Sequence, residues 1–269
     1  MRTLSTVIST LGLAATLIPT TVSAQGSSNG STAPLLHVND AYNTCFFDLH
    51  PELTREEFHQ FAAELGSVLR FRQLSDSTTL GKGKVDISMQ YAATPIDDAE
   101  GAWNNTMSHP TADHYLVESI SFPRIVARFG VSDRVDVGAW GGLAPGANYG
   151  LVGADTTIAL MLQGPTRPVS VSIRPSVTSL VGPSEVWAGN ASIDVSVSRT
   201  IGRFSPYGGV ATSASVAVER TDEVDLDPAT ATGSLAYAGL SYRWHALVLS
   251  GEVEKAALFS YAFRIGTRF

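Results

Sequence analysis

The chain has 269 residues, of which 44% are hydrophobic, with one cysteine and a formal net charge of -7 from 25 acidic and 18 basic side chains. A single Cys excludes an internal disulfide framework, and an acidic balance without a Lys/Arg stripe argues against a nucleic-acid binder, whose affinity rests on clustered cations. Abundant Gly, Ser, Ala, Thr and Val favour short strands over helices.

Arg2 precedes an apolar run through Leu11, Leu13, Ala14, Ala15, Leu17 and Ile18, followed by Pro19 and the small-residue site Val22-Ser23-Ala24. This order reads as a signal peptide over residues 1–24, cleaved near Ala24, because the run falls short of the roughly 20 residues a spanning helix needs. Residues 25–33 are rich in Gly, Ser and Asn without periodicity and read as a disordered lead.

Residues 34–80 are different in kind. Thr54 is placed to cap a helix, Glu57 completes a capping-box spacing, and Phe58, Phe61, Ala62 and Leu65 then share one face before Gly66, which is expected to stop it. A short strand over Gly66 to Leu74 is compatible with Leu69 and Phe71 on one side and Arg70 and Arg72 on the other. The segment is expected either in the periplasm or as a plug in a lumen, and an alternative function is a structural tether whose residues 34–74 bind a periplasmic partner. Cys45 reads as a lone, structurally minor thiol.

From residue 81 to 269 the chain alternates. Val85, Ile87, Met89 and Tyr91 oppose Lys84, Asp86, Ser88 and Gln90, while Ile125, Ala127 and Phe129 oppose Arg124 and Arg128. The turn Gly130 to Arg134 leads into Val135, Val137 and Ala139, opposite Asp136, Gly138 and Trp140, which makes a hairpin. Further strands fall at about Tyr149 to Leu162, Val169 to Val181, Val186 to Arg199, Pro206 to Val218, Thr230 to Trp244 and Leu247 to Glu254. Each is near the length of about 9–11 residues that a tilted strand needs to cross a membrane. With the terminal strand they make ten, within a range of ten to twelve if Gly66 to Leu74 is counted. An even count places both mature ends on the periplasmic side, with short turns there and the longer loops, 94–114 and 219–229, outside.

The last thirteen residues give the pattern its sharpest form. Phe259, Tyr261, Phe263, Ile265, Thr267 and Phe269 share one side of an extended strand, and Ser260, Ala262, Arg264, Gly266 and Arg268 share the other. On a soluble edge strand such a stripe would aggregate, whereas a transmembrane barrel requires it. This ending resembles the C-terminal assembly signal of bacterial outer-membrane β-barrels, carried here by Phe259, Tyr261, Phe263, Ile265 and Phe269. The resemblance implies an all-β, antiparallel up-and-down transmembrane barrel of about ten strands in a Gram-negative-type outer membrane, with a short helix before it. Its implied partners are outer-membrane lipid, lipopolysaccharide and the barrel-assembly machinery, which reads the C-terminal strand. The segments Leu80-Gly-Lys-Gly-Lys-Val and Arg124 to Gly138 are similar to early strands of a broad group of outer-membrane transporters, including the family tied to aromatic-compound degradation. That similarity hints at transport, and the expected role is a small-solute transporter or pore, or a structural barrel, with no cofactor expected.

The inward positions carry both signs: Lys84, Asp86, Arg124, Arg128, Asp136, Asp155, Arg174, Asp194, Arg243, Glu252, Glu254, Arg264 and Arg268. They read as a ladder of mutually satisfied charges, with a selective pore as the sharper alternative. Ser170, Ser172, Ser176, Ser192, Ser196 and Ser198 are small and leave space for water or a plug. The first outer loop holds Asp97, Asp98, Glu100, His109, Asp113 and His114, from which a rim hydrolase is conceivable. No Ser stands in a nucleophile turn, so a solvated polar loop is the default reading, with Trp103, Asn104 and Asn105 as interfacial or ligand contacts. Asp222, Glu223, Asp225 and Asp227 offer hard oxygen ligands, but their spacing is not that of an EF-hand, and the expectation is a hydrated acidic loop without metal.

Overall fold

In the computed structural model, residues 37–97, 100–113 and 119–269 are described; the expected signal peptide and lead, and the candidates Asp98 and His114, lie outside them. The elements in chain order are β1 (Phe46–Phe47), α1 (Arg55–Leu69), β2 (Val85–Pro95), α2 (Gly101–Asn104), β3 (Met107–Ser108), β4 (Ser119–Ser132), β5 (Val135–Leu143), β6 (Gly150–Met161), β7 (Ser170–Val181), β8 (Val186–Ser198), β9 (Phe204–Glu219), β10 (Ala229–Trp244), β11 (Leu247–Lys255) and β12 (Phe259–Arg268).

Ten of these strands close into a barrel in which every neighbour pair is antiparallel. The seam joins last to first, from Tyr261 opposite Ala93 to Arg268 opposite Asp86. The Phe269 and Val85 backbones extend it by exchanging two hydrogen bonds of 2.8 and 3.1 Å. Closure leaves no strand edge, which is the condition for spanning lipid with strands. The expected number and order of strands are those observed.

Orientation follows the alternation. Ile87, Met89, Tyr91, Ile125, Phe129, Val177, Ile193, Phe259, Tyr261, Phe263 and Ile265 point out and are exposed, while Asp86, Ser88, Gln90, Arg124, Arg128, Asp194, Glu254 and Arg264 point in and are buried. Phe129, Phe204, Trp244 and Phe269 ring the end with short turns, and Phe259 and Tyr261 lie near the other, with aliphatic residues between. Such aromatic rims flank the lipid zone of outer-membrane barrels.

The chain before the barrel departs from expectation at its helix. α1 starts as the capping box requires: Thr54 Oγ1 accepts from the Glu57 amide at 3.3 Å, and the Thr54 amide donates to Glu57 Oε2 at 2.8 Å. It does not stop at Gly66. It continues to Leu69, so the first part of the Gly66 to Leu74 stretch expected as a possible strand is helical, and residues 70–74 pair into no sheet, with Leu74 at a positive φ of 54°. Gly66 serves a close approach instead: a Cβ there would lie 2.6 Å from both Ser215 Cβ and Oγ on the inner wall.

The polarity of this segment also differs. The barrel itself begins and ends at one end, as expected. Residues 39–55, however, bond to the loops at the opposite end: Asn43 to Gly146 (3.0 Å), Phe47 to Asn148 (3.0 Å), Leu49 to Glu185 (2.7 Å) and Arg55 to Asp227 (2.7 Å). The described chain therefore starts at the loop end, not beside Phe269. An even strand count fixes where the barrel's own ends lie and leaves free the chain that precedes them.

Candidate functional site

At the loop end, Phe58, Phe61, Leu65, Val68 and Leu69 of α1 join Phe47, Leu49, Trp103, Met107, Ile120, Phe122 and Leu151 in one buried apolar cluster. Trp103, expected as an interfacial or ligand contact, is wholly buried against Phe61 in an edge-on pair at 5.3 Å, and its indole N–H donates to Glu64 at 2.6 Å. β1 and β3 pair into a small sheet of their own across this mouth. Val224 and Leu226 of the acidic loop also pack on the cluster.

Beyond Leu69 the contacts become polar. Arg70 pairs with Glu254 and, at 3.8 Å, with Asp194; Arg72 pairs with Glu254 at 2.9 Å. Between them Phe71 stacks on Trp140 with centroids 3.6 Å apart and 9° between planes. Further along, Gln90 donates to the Gln73 carbonyl (3.3 Å), Ser77 bonds Ser196 (2.8 Å) and Ser198 (2.9 Å), and Asp76 faces Arg243 at 3.6 Å. The Leu80 amide reaches Asp136 at 2.9 Å, and Thr79 donates to the Asp133 carbonyl in the β4–β5 turn at 2.7 Å. An extended run from Arg70 to Leu80 reaches at most about 36 Å, enough to traverse a wall about 25 Å tall.

The remaining inward charges pair within the wall. Asp86 holds both Arg264 and Arg268 (2.9 Å to the latter), Arg128 pairs with Asp155 at 2.8 Å, and Arg174 with Asp194 at 3.4 Å. Glu252 is buried on β11, Arg243 is half-exposed at the turn end, and Lys84 stands exposed just ahead of β2, so it is not a lumen charge. Neither Glu252 nor Arg124 takes part in such an ion pair among the described residues. Arg124 is buried, and its three guanidinium nitrogens have no hydrogen-bond partner. Three pairs of wall serines bond each other, Ser172 with Ser196 (2.9 Å), Ser176 with Ser192 (2.8 Å) and Ser241 with Ser250 (2.9 Å).

The rim candidates are dispersed in character. His109 is buried, with Nδ1 3.1 Å from the Cys45 thiol, whereas Asp97 and Asp113 are exposed. Asp222, Asp225 and Asp227 face solvent, and Asp227 is engaged by Arg55. Among the described residues the one group of three converging ligand side chains is elsewhere: His37, His50 and Glu52, at the mouth. Separations of thirteen and two residues form no local motif, so sequence reading passes over them. Two mouth carboxyls differ in their titration. Burial tends to raise Glu57, but hydrogen bonds from the Thr54 amide and hydroxyl and from Asn105 bring it below the usual carboxylate value. Burial raises Glu185, outweighing the Leu49 amide bond that lowers it.

No family model matches the sequence, and no curated protein is similar to it in sequence. Among solved structures the chain is similar to Ail, the attachment invasion locus protein of Yersinia pestis, at 14% identity over 70% of this chain and 99% of that one, with a TM-score of 0.31. It is similar to OprG of Pseudomonas aeruginosa at 10% identity over 72% and 99%, with a TM-score of 0.34. It is also similar to the KdgM porin at 11% identity over 68% and 99%, with a TM-score of 0.33. Likenesses this distant say nothing of function. The closed ten-strand wall, apolar outside and polar within, makes this chain by its own architecture an outer-membrane-type β-barrel.

Proposed function

We propose that this is a non-enzymatic outer-membrane barrel in which residues 37–80 act as a built-in plug that keeps the lumen closed at rest. The observation that carries the reading is the seating of α1 and residues 70–80 against inward side chains from one end of the wall to the other. Burial of Phe58, Phe61, Leu65, Val68 and Leu69 alone is worth about 10 kcal/mol as an upper estimate. Spontaneous release is then too rare to support passive diffusion. Lipid and lipopolysaccharide are the surroundings this wall fits, and β12 carries the stripe through which assembly machinery would engage it. The test is single-channel conductance of the refolded full-length protein in a planar bilayer. Silence is expected, and steady conductance from folded protein would overturn the reading.

A second reading, passage of a small polar solute once the plug shifts, is favoured by the serine-rich wall and by Arg124, a buried cation that an anionic group would satisfy. A protease site placed at Lys82 would allow the plug to be severed after folding. Conductance appearing once the severed segment has been stripped from the folded barrel with denaturant is the expected result. Continued silence after verified loss of the plug would leave only a structural barrel.

A further inference from the structure

At the mouth, within residues 37–80 but apart from the contacts that carry the plug reading, the side chains of His37, His50 and Glu52 converge. One ligand-type atom from each lies within 4.8 Å of the others. Their backbones are held in place: the His109 amide donates to the His37 carbonyl at 2.8 Å, and the His50 amide donates to the Asn105 carbonyl at 3.1 Å. Both imidazoles are half-buried and Glu52 is exposed, so an ion has access from solvent.

The surrounding hydrogen bonds decide which nitrogens are available. Ser108 donates its hydroxyl proton to Asp48 Oδ2 at 2.5 Å, so toward His50 Nε2, 3.0 Å away, it can only accept. His50 therefore carries its proton on Nε2 and keeps the Nδ1 lone pair free. The Asn105 amide nitrogen is directed at Glu57 (3.3 Å), which turns its oxygen toward His37 Nε2 at 3.4 Å and sets the same tautomer there. An imidazole whose second nitrogen donates to an acceptor, itself backed by a carboxylate, is how metal-binding histidines are oriented.

We propose that His37 Nδ1, His50 Nδ1 and the Glu52 carboxylate form a site for a divalent transition-metal ion of the zinc type at the mouth of the barrel. Two imidazoles and one carboxylate suit Zn²⁺ with a fourth position left for water. The rings stack 3.5 Å apart with 16° between planes, and an ion shared by both must lie in both planes. Ligation therefore swings one ring out of the stack. Ser108 and Asp48 act as positioning residues through His50. The inference is independent of whether the lumen ever opens.

The test is calorimetric titration of chelator-treated, refolded full-length protein with Zn²⁺ in detergent, with Co²⁺ substitution read by visible absorption. One Zn²⁺ per chain is expected. Affinity should fall at least tenfold in His50→Ala and in His37→Ala, should fall in Glu52→Gln, and should be unchanged when Asp222, Asp225 and Asp227 are replaced together by Asn. Ser108→Ala should weaken binding by about 10- to 100-fold while retaining all three ligands. Folding of each variant is checked by heat-modifiable gel mobility. Absence of Zn²⁺ binding by the wild type, or binding that survives the His37→Ala/His50→Ala double change, would overturn the proposal. If a variant fails to fold, the wild-type Co²⁺ spectrum decides: d–d bands typical of low-coordinate nitrogen and oxygen ligation support the site, and a purely octahedral spectrum sinks it.

Discussion

Glu254→Ala removes the carboxylate that two plug arginines share. Glu254 is fully buried, as are Arg70 and Arg72, so the loss strands cations in a dry interior. Severing a buried pair costs about 3–5 kcal/mol. Arg70 retains Asp194 at 3.8 Å, and Arg72 retains the Ser67 and Arg70 carbonyls at 2.9 and 3.3 Å, which places the cost at about 3 kcal/mol, the lower end of that range. That corresponds to a shift on the order of a hundredfold toward the unseated plug, at about 1.4 kcal/mol per tenfold. The assay is thiol labelling of Ser196→Cys, a position under the plug where Ser77 bonds the wall, in a Cys45→Ser background. Where reseating is faster than labelling, the rate reports the unseated fraction, so about a hundredfold acceleration is expected. Replacing Arg70 and Arg72 with Met alongside Glu254→Ala should return the rate most of the way, because the orphaned charges are gone. Labelling that changes less than about threefold in a correctly folded barrel would refute the claim that this triad seats the segment.

Gly66→Ala should unseat α1 although alanine is the better helix former by about 0.5–1 kcal/mol, because its methyl would meet Ser215 at 2.6 Å. Ser215→Gly should rescue it, and equal labelling rates in the single and double variants would show that the close approach is unimportant. Phe263→Arg places a charge on the lipid face of β12, where Phe263 is 59% exposed. A cost of about 2–4 kcal/mol at mid-membrane should reduce the protease-resistant, heat-modifiable form, and normal accumulation would contradict the assigned orientation. Thr54→Ala should cost the start of α1 about 1 kcal/mol. Glu57 is held low in the folded state, so its contribution is complete above the carboxylate's unfolded value and is lost as pH falls through the folded one. Proteolysis within residues 37–60 should therefore rise on acidification in the wild type and much less in Glu57→Gln; identical acid sensitivity would reject the capping account.

The wall was legible in the sequence because period-2 alternation is a local property, and one residue of slippage would turn every side chain to the wrong face. Val85 to Tyr91 and Phe259 to Phe269 show this plainly. The helix start was legible for the same reason, since Thr54 and Glu57 are three residues apart. What failed depended on distant partners. Gly66 resembles a stop signal until Ser215 stands against it, 149 positions further along the chain. Arg70 and Arg72 looked like an ambiguous strand face because Glu254 and Asp194, which satisfy them, lie on β11 and β8. The mouth ligands were hidden for a related reason: His37 and His50 are brought together by bonds to Asn105 and the neighbouring β3 stretch rather than by helical or strand spacing.

The two halves of the N-terminal segment do different physical work, and the division bears on how the barrel could act. α1 is held by apolar area, a force that is large and indifferent to direction. Residues 70–80 are held by ion pairs and hydrogen bonds, which add little net stability when buried but penalise any displaced arrangement that leaves a charge alone. Slippage of the segment would separate Arg70 and Arg72 from Glu254 and the Leu80 amide from Asp136 together, so the polar half specifies one register. Opening by gradual sliding is therefore disfavoured at every intermediate position. The low-cost route is release of the polar stretch as a unit while α1 remains anchored in the mouth cluster. A lumen opened in that way would expose Arg124 and the paired serines on the turn-end side before any continuous path formed. Release would also take Arg70 and Arg72 from Glu254, so the opened space presents that carboxylate together with Arg124 rather than a lone cation, and passage through the mouth requires the much larger apolar cost to be met separately.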